Sequence, residues 1–353
     1  MVGESGLTVD AAGELTGPLL KQVSRSFYLS LSVLPAGVRP GIGLAYLLAR
    51  ATDTIADTRI VPRETRLRHL EALRAELRAP VPGRVEAIAA GLGPGQALPA
   101  ERRLLERLPE CLAAFRALPT ADAERVARLL EVIVEGQSDD LRHFPGEDAD
   151  GLEALDARAD LDHYTYQVAG CVGEFWTDMH VAHRPRLAPW DPAAMRVLGM
   201  RFGQGLQLTN ILRDVPRDLR QGRCYLPRGD LARLGLAPRD LLDPAAAKTA
   251  RPLVQELLQV ALARYDAGWR YTLAIPAGEP RMRLACAWPL LIGLATLERL
   301  AAAPGWLDPA IHVKVPRAQV YALLARSLVG VGSARALARQ GARLRARVCE
   351  AAA

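Results

Sequence analysis

Two pairs of aspartates are the residues of this sequence best suited to chemistry. Asp53 and Asp57 close one apolar helical run, and Asp214 and Asp218 follow a second run far along the chain. Residues four apart on a helix lie side by side, about 6 Å apart, so the two carboxylates of each pair repel unless a cation lies between them. Mg²⁺ takes oxygen ligands, usually one or two carboxylates together with water or substrate phosphate. The two pairs therefore predict two helices that hold several Mg²⁺ ions around one diphosphate.

Neighbouring residues strengthen this interpretation. The pattern Asp-x-x-x-Asp should arise about once by chance in a chain of this composition, and it occurs three times. Asp156 and Asp160, the third pair, lie in a polar stretch and are predicted to be a solvated surface. Arg50 and Arg213 precede the other two pairs. The planar guanidinium suits phosphate oxygens, so beside the acidic motifs these arginines are predicted to contact diphosphate.

The composition favours a helical protein. The chain has 353 residues, half of them apolar and only 5% aromatic, and it is rich in Ala, Leu and Arg, which form helices readily. We expect one all-α domain, residues 1–353, of roughly a dozen helices. The net charge of +6 suits an anionic substrate or an acidic membrane surface, although arginines spread over solvated helix faces would explain it equally well. Basic runs interleaved with aromatics are absent from the sequence, so nucleic acid is not an expected partner.

The cysteines and the N-terminal sequence favour a cytoplasmic location. The five cysteines are widely spaced, without a Cys-x-x-Cys pair, so neither a zinc site nor a disulfide framework is expected. Residues 1–17 lack the basic start and apolar run of a signal peptide. The longest apolar stretch, Leu284 to Leu297, is short for a membrane span and contains Pro289. We expect a cytoplasmic protein, at most peripheral to the inner face of the membrane.

Several helix boundaries follow from periodicity and from proline and glycine positions. The pattern predicts helices over 7–23, 192–219 and 316–347, and a Pro- and Gly-rich loop over 79–95. Pro216 falls between Asp214 and Asp218. A proline inside a helix removes a hydrogen bond and bends the helix, so the sequence leaves open whether Asp218 shares a face with Asp214.

Three segments together resemble the squalene and phytoene synthases. They are Ser24-Arg-Ser-Phe27, the segment from Arg50 to Asp57, and Gln207-Leu-Thr-Asn-Ile-Leu-Arg-Asp214. The resemblance extends over residues 21–334 and implies the all-α isoprenoid synthase fold. It also implies head-to-head joining of two prenyl diphosphates, with Mg²⁺ held by Asp53, Asp57, Asp214 and Asp218. The positions that match substrate contacts of the family are Ser24, Arg25, Phe27, Arg50, Gln207, Asn210 and Arg213.

A further segment, from Asp162 to Gly173, resembles the family's Tyr-x-x-x-Val-Ala-Gly sequence. Tyr166 matches the tyrosine expected to act near the carbocation, through its ring or as a proton carrier. Ala169, Gly170 and Gly173 would let a prenyl chain approach the helix closely. A buried tyrosine with small residues at a helix crossing is the structural alternative.

The product is predicted from a late basic segment. His312 to Val320 resembles the segment of squalene synthases where a lysine and an arginine are expected to hold NADPH phosphates, with Lys314 matching directly and Arg317 displaced by one residue. The resemblance therefore favours squalene synthase: two farnesyl diphosphates form presqualene diphosphate, which NADPH reduces to squalene. A phytoene or dehydrosqualene synthase without reduction is the alternative, as is a non-catalytic helper protein of the family. Ala56 and Thr58 stand where animal squalene synthases carry further acids, which predicts looser metal binding.

Overall fold

A computed structural model of the protein describes residues 14–24 and 27–352, and most of them are helical. The α-helices of the described residues are α1 (Leu20–Ser24), α2 (Tyr28–Ser32), α3 (Arg39–Asp57), α4 (Arg63–Glu76), α5 (Arg84–Leu92), α6 (Pro99–Glu106), α7 (Leu108–Arg116), α8 (Thr120–His143), α9 (Arg158–Thr165), α10 (Cys171–His183), α11 (Pro192–Arg220), α12 (Arg228–Arg233), α13 (Ala247–Ala274), α14 (Pro280–Ala301), α15 (Arg317–Gly330) and α16 (Ala334–Ala352). The predicted all-α class is confirmed.

Short irregular elements complete the described chain. Two π-helical turns occupy Leu15–Leu19 and Tyr166–Gly170, and three 3₁₀ turns lie between the later helices. Two strands of two residues each, β1 (Glu153–Ala154) and β2 (Arg223–Cys224), pair in parallel, with Glu153 opposite Arg223. These strands tie the segment before α9 to the residues that follow α11.

Contacts divide the chain into two compact units. Unit 1 contains Met1–Leu141 and Asp178–His183, and unit 2 contains Arg142–Thr177 and Arg184–Ala353. In unit 2 the core is built around α11, α13 and α14, where leucines and alanines pack with buried Tyr265 and Trp306. A single domain over 1–353 stays a prediction from the sequence.

Helix α3 belongs to unit 1 and is buried on all sides except one. Twelve of its residues between Gly41 and Ala56 are buried. Those left partly or fully exposed after its first turn are Tyr46, Ala49, Arg50, Asp53 and Asp57, which recur at the spacing of one helix face. Pro40 lies in the first turn, where its missing N–H has no helical partner to lose. The acidic motif therefore ends a core helix and occupies its one open stripe.

Helix α11 has the same organisation in unit 2. Asp191 caps it by accepting hydrogen bonds from the backbone N–H groups of Ala193, at 3.0 Å, and of Ala194, at 3.3 Å. The helix then continues through buried Pro216 to Arg220. Pro216 therefore does not end the helix between Asp214 and Asp218. Because the helix continues, residues four apart still lie side by side.

Two predicted boundaries also differ from the structure. Residues 79–95 are not a continuous loop, because α5 lies within them; it starts after Gly83, whose φ of 78° is left-handed, a conformation that glycine adopts at little cost. The predicted helix over 316–347 is two helices, α15 and α16, separated by residues 331–333. Glycines at 330 and 332 weaken helix continuity there. Of the predicted helix over 7–23, residues 7–13 lie outside the described part.

Within the described residues, one helix is long and apolar enough to cross a membrane. It is α14, with a mean hydropathy of 1.4, and 78% of its most apolar window is buried inside the protein. The core helix of a folded domain has this pattern. Pro289 lies in its interior.

Candidate active site

Asp53 lies at the centre of the exposed stripe of α3, where two side chains contact its carboxylate. The Nε2 of Gln137, on α8, donates a hydrogen bond of 2.5 Å to its Oδ1. The Nη1 of Arg50 lies 3.7 Å from its Oδ2. A neutral amide is therefore the nearest partner of this carboxylate, and the cation is more distant.

The surroundings of Asp53 disfavour its charged form. Desolvation, followed by the negative charge of Asp57, raises the pKa of Asp53 to about 7, although Arg50 and Gln137 act in the opposite direction. The side chain is nevertheless 46% exposed. The carboxylate of Asp53 is thus desolvated by its surroundings and still open to solvent on one side. A divalent cation bound there would favour the ionised form, since an opposite charge nearby lowers the pKa of a carboxyl group.

Arg50 is held mainly by Glu101 of α6. The Nη2 of Arg50 donates a hydrogen bond of 2.5 Å to the Oε1 of Glu101, which is nearer than Asp53. The buried Nε of Arg50 has no hydrogen-bond partner among the described residues, and neither has the buried Oε1 of Gln137. An unsatisfied guanidinium N–H suits a phosphate oxygen. Sequence analysis missed Glu101 and Gln137 because neither belongs to a recognisable motif.

The acidic motif of α11 is arranged differently. The guanidinium of Arg213 donates two parallel hydrogen bonds to the neighbouring Asp214, of 2.7 Å from Nε and 2.5 Å from Nη2. This hydrogen bonding is the largest cause of the raised pKa of Arg213. Asp218 lies one turn further along the partly exposed face.

The polar residues predicted on α11 share that face. Gln207 and Asn210 precede the acidic pair at the spacing of a helix surface, and both are at least partly exposed. Their buried counterparts, Leu208, Leu212 and Leu219, pack into the core of unit 2. The structure therefore presents amide, guanidinium and carboxylate groups together along one side of α11.

Tyr166 begins the π-helical turn between α9 and α10. Its hydroxyl donates a hydrogen bond of 3.1 Å to the Oε2 of Glu174. Burial, together with the charge of Glu174 and this hydrogen bond, raises the pKa of Tyr166 to about 12. The tyrosine therefore stays neutral at physiological pH. Glu174 is a further residue that sequence analysis missed, although it follows directly on the recognised segment.

The small residues near Tyr166 are explained by a helix crossing. A Cβ atom at Gly173 would lie 1.9 Å from the backbone oxygen of Gly199, and one at Gly203 would lie 2.1 Å from that of Ala169. The backbones of α10 and α11 thus approach too closely for any side chain. Small residues at a helix crossing, the structural alternative to a close approach of the prenyl chain, therefore account for the positions of these glycines.

Of the remaining predicted residues, Ser24 and Phe27 belong to unit 1, and Lys314 and Arg317 belong to unit 2. The ring of Phe27 stacks on Tyr46, in the exposed stripe of α3, with centroids 5.5 Å apart. Buried Ser24 donates a hydrogen bond of 2.5 Å to the backbone oxygen of Leu20. Arg25 lies outside the described residues. Lys314 and Arg317 are exposed in unit 2, with Arg317 as the first residue of α15.

The donor set suits Mg²⁺ better than zinc. No group of three or more His, Cys, Asp or Glu side chains that could hold a metal ion is found in the part of the chain that the structure describes. All five cysteines are free. Pairs of aspartates on a partly open face leave coordination positions for water or phosphate, as Mg²⁺ requires.

Known proteins are similar to this chain over most of its length. A family model described as squalene/phytoene synthase matches residues 20–319. A presqualene diphosphate synthase from Zymomonas mobilis subsp. mobilis is 31% identical over 301 residues, which are 82% of this chain and 84% of that protein. A 15-cis-phytoene synthase from Synechocystis sp. is 30% identical over 242 residues, covering 67% of this chain and 61% of the relative.

Solved structures agree on the fold. A squalene synthase, TcSQS with the ligand BPH1237, matches with a TM-score of 0.77 at 23% identity, covering 97% of this chain and 92% of that one. A dehydrosqualene synthase in complex with ligand matches with a TM-score of 0.64 at 24% identity, covering 92% and 97%. Together with the family match over most of the sequence, these findings establish that the chain belongs to the squalene/phytoene synthase family of head-to-head prenyltransferases.

Proposed function

We propose that the protein is a squalene synthase whose first half-reaction is the Mg²⁺-dependent, head-to-head condensation of two farnesyl diphosphates to presqualene diphosphate. The observation that carries the proposal is the pair of open helix faces, on α3 and α11, each with two aspartates and an arginine. Similarity to a presqualene diphosphate synthase over 82% of the chain supports the same half-reaction.

The reaction begins when the C1–O bond of one farnesyl diphosphate breaks and diphosphate leaves with the electron pair. The double bond of the second substrate attacks the allylic cation, and loss of a proton closes the cyclopropane ring of presqualene diphosphate. Mg²⁺ supplies Lewis-acid neutralisation of the departing diphosphate. In the proposed roles Asp53, Asp57, Asp214 and Asp218 hold the metal.

The other residues bind and orient the substrates. Arg50 and Arg213 contact diphosphate oxygens, for which the unsatisfied Nε of Arg50 is available. Gln207 and Asn210 line the approach along α11, and Phe27 does so beside α3. Tyr166 presents a neutral ring and hydroxyl near the cation, with its hydroxyl held by Glu174.

The second half-reaction is proposed to be reduction by NADPH. Lys314 and Arg317 are exposed, and no carboxylate lies within ion-pair distance of either among the described residues. Arg317 opens α15, whose first-turn N–H groups and dipole favour an anion. The two cations and the helix start together form a surface that a cofactor phosphate would fit.

Product analysis tests both halves. The protein is incubated with farnesyl or geranylgeranyl diphosphate and Mg²⁺, with and without NADPH, and the extracted products are separated. The proposal expects presqualene diphosphate from farnesyl diphosphate alone and squalene once NADPH is added. The same hydrocarbon in equal yield with and without NADPH would instead indicate phytoene-type or dehydrosqualene chemistry.

The variant Lys314→Ala tests the NADPH reduction separately from the condensation. It should raise the apparent KM for NADPH and leave farnesyl diphosphate consumption nearly unchanged, because a lost phosphate contact weakens ground-state binding of the cofactor. If Lys314→Ala alters neither step, the cofactor assignment is wrong while the condensation can still stand.

Tyr166 provides a separate test of the cation site. Tyr166→Ala should lower the condensation rate by about 100-fold, within the usual range for a group that assists proton transfer, and should change the melting temperature little. The rate and the thermal melt are measured on the same preparation. A variant that keeps full activity, or one that unfolds at room temperature, would return Tyr166 to a packing role.

Two other functions remain to be distinguished by experiment. Similarity to a 15-cis-phytoene synthase favours a longer, non-reduced product, and the geranylgeranyl diphosphate incubation tests it. A non-catalytic helper would be expected to have lost its acidic motifs, and both are intact here. Absence of Mg²⁺-dependent diphosphate release from every prenyl diphosphate would favour the helper.

A further inference from the structure

The positive charge of the protein is concentrated at its C-terminal end. Between Asp308 and Glu350 the sequence has eight lysines and arginines and no acidic residue. The net charge of that segment alone exceeds the net charge of +6 of the whole chain, so the rest of the chain carries a small negative net charge. Helices α15 and α16, joined by residues 331–333, form most of it, and we call this element the C-terminal hairpin.

The inner side of the C-terminal hairpin is firmly attached to unit 2. The Nε1 of Trp288 donates a hydrogen bond of 2.9 Å to the Oγ of Ser327 on α15. Arg345 of α16 pairs with Asp266 at 3.0 Å, and Arg283 donates to the backbone oxygen of Val331 at the turn, at 3.1 Å. Position and orientation of the hairpin are therefore fixed by the core.

The outer side of α15 is apolar although it faces solvent. Val329 is 91% exposed, Tyr321 is 63% exposed and Leu328 is 53% exposed. With Ala325 they recur at the spacing of one helix face. Exposed apolar residues that share a face and are rimmed by polar groups mark an interaction surface.

Cations surround this apolar face. Arg326 lies beside Leu328 on α15, and Arg335 lies just beyond the turn, where Ala336 and Gly330 are close neighbours. Arg339 and Arg343 continue an exposed stripe along α16. None of these four arginines has a carboxylate within ion-pair distance in the described ranges 14–24 and 27–352. This part of the hairpin is therefore positively charged without local compensation.

We propose that the C-terminal hairpin binds the surface of an anionic lipid bilayer, with Tyr321, Leu328 and Val329 entering the interface and the flanking arginines contacting phosphate head groups. Apolar side chains on one helix face with arginines around them have the composition of interfacial helices. Each cation near an anionic surface adds attraction that salt weakens. Tyrosine favours the head-group level of a membrane. The charge of the hairpin argues against a second copy as the occupant, since two such surfaces would repel.

Vesicle sedimentation tests the proposal with the full chain. Vesicles of phosphatidylglycerol and phosphatidylcholine should retain the protein in low salt, and pure phosphatidylcholine vesicles should not. The double variant Arg326→Glu with Arg335→Glu should lower the partition coefficient at least about tenfold. Leu328→Ser with Val329→Ser should also weaken binding, and should do so in high salt as well. None of these residues belongs to the proposed catalytic machinery, so farnesyl diphosphate consumption in detergent should stay unchanged.

A matched pair of changes elsewhere controls for general charge and hydropathy effects. Arg128→Glu with Val197→Ser alters an exposed arginine and an exposed valine outside the hairpin and should leave vesicle binding intact. Equal binding to both kinds of vesicle, or equal losses in the hairpin and control variants, would overturn the proposal. So would a serine variant that converts a dimer to a monomer in gel filtration while vesicle binding persists, because the face would then be a contact between copies.

Discussion

The acidic ends of α3 and α11 carry similar residues, yet the two helices neutralise their aspartates differently. On α3 the arginine is engaged by Glu101, and the nearest partner of Asp53 is the neutral amide of Gln137. On α11 the arginine is adjacent in sequence and binds Asp214 through two hydrogen bonds. The nearest partner of Asp53 is therefore a neutral group, whereas Asp214 is compensated by the arginine next to it in sequence.

The difference indicates how each motif would respond to a cation and a diphosphate. Desolvation disfavours ionised Asp53, so a bound metal ion should stabilise the α3 site strongly. Asp214 must exchange Arg213 for a metal ion, and this exchange would free the guanidinium to contact a diphosphate oxygen. We infer that the α3 motif gains most from the metal and the α11 motif gains from metal and substrate together.

The largest expected effect comes from removing one carboxylate of each pair. Asp53→Asn and Asp214→Asn should each lower turnover by about 1,000-fold or more, equivalent to about 4 kcal/mol of barrier, because each removes a proposed metal ligand. Steady-state rates with farnesyl diphosphate measure the loss, and circular dichroism checks the helical fold. Asp156→Asn, from the exposed third pair, is the control. Activity of either site variant within about threefold of wild type would show that its aspartate is not a metal ligand.

The amide that holds Asp53 should matter less than the carboxylate itself. Gln137→Ala should weaken the apparent affinity for Mg²⁺ by about 10-fold, at the lower end of what is found for residues that orient metal ligands. Gln96→Ala is the matched control, because Gln96 is also a buried amide and donates to Thr58 at 3.0 Å without contacting Asp53. Equal Mg²⁺ dependence in the two variants would contradict a positioning role for Gln137.

The raised pKa of Asp53 predicts a pH dependence that the α11 motif should not share. With a pKa of about 7, Asp53 is mostly protonated at pH 6, and Mg²⁺ must displace that proton. Apparent Mg²⁺ affinity should therefore fall about fivefold from pH 7 to pH 6, measured by the rise in melting temperature on adding Mg²⁺. The dependence should vanish in Asp53→Asn and persist in Asp214→Asn.

In the metal-free protein, the contribution of Asp53 to folding stability changes with pH in the opposite direction to that of an ordinary salt-bridged acid. Protonated Asp53 favours the folded state, so its contribution is fully present below about pH 4, the ordinary range of an aspartic acid. It is lost as the pH rises through about 7. Without metal, the melting temperature of wild type should thus fall relative to that of Asp53→Asn across this interval. A constant difference between the two proteins would contradict the raised pKa.

The smallest effect is expected at Pro216. Since α11 already continues through this residue, Pro216→Ala should leave the shared face of Asp214 and Asp218 unchanged and alter turnover by less than about threefold. Rates at saturating Mg²⁺ provide the measurement. A large gain or loss would mean that the proline shapes the second motif after all.

The sequence predicts residues that lie on one helix much better than it predicts contacts between helices. The open stripe of α3 and the polar face of α11 follow from spacing alone, because a helix repeats its faces every 3.6 residues. Glu101 and Gln137 lie 51 and 84 residues from the side chains they bind. Their approach depends on how α6 and α8 pack in unit 1, which no local pattern contains.

The positions where helices break were also predicted less well than the faces of the helices, because breaks too depend on packing between helices. Pro216 has an unfavourable local preference, but the buried side chains around it keep α11 continuous. The glycines near residue 331 had the reverse effect, since little is buried there to hold a helix together and the chain turns. Local preference decides a boundary only where packing is weak.

The π-helical turn at Tyr166–Gly170 has a consequence for how the tyrosine is aimed. A π turn contains one residue more than the α-helical hydrogen-bond pattern requires, and each residue of an α-helix turns the chain by about 100°. The extra residue therefore rotates the side chains of α10 about the helix axis relative to those of α9. The close approach of Gly173 to Gly199 holds α10 against α11, so a change in the length of the turn would rotate Tyr166 relative to α10. Insertion or deletion of a single residue within 166–170 would re-aim the hydroxyl away from Glu174 while leaving the crossing of α10 and α11 in register.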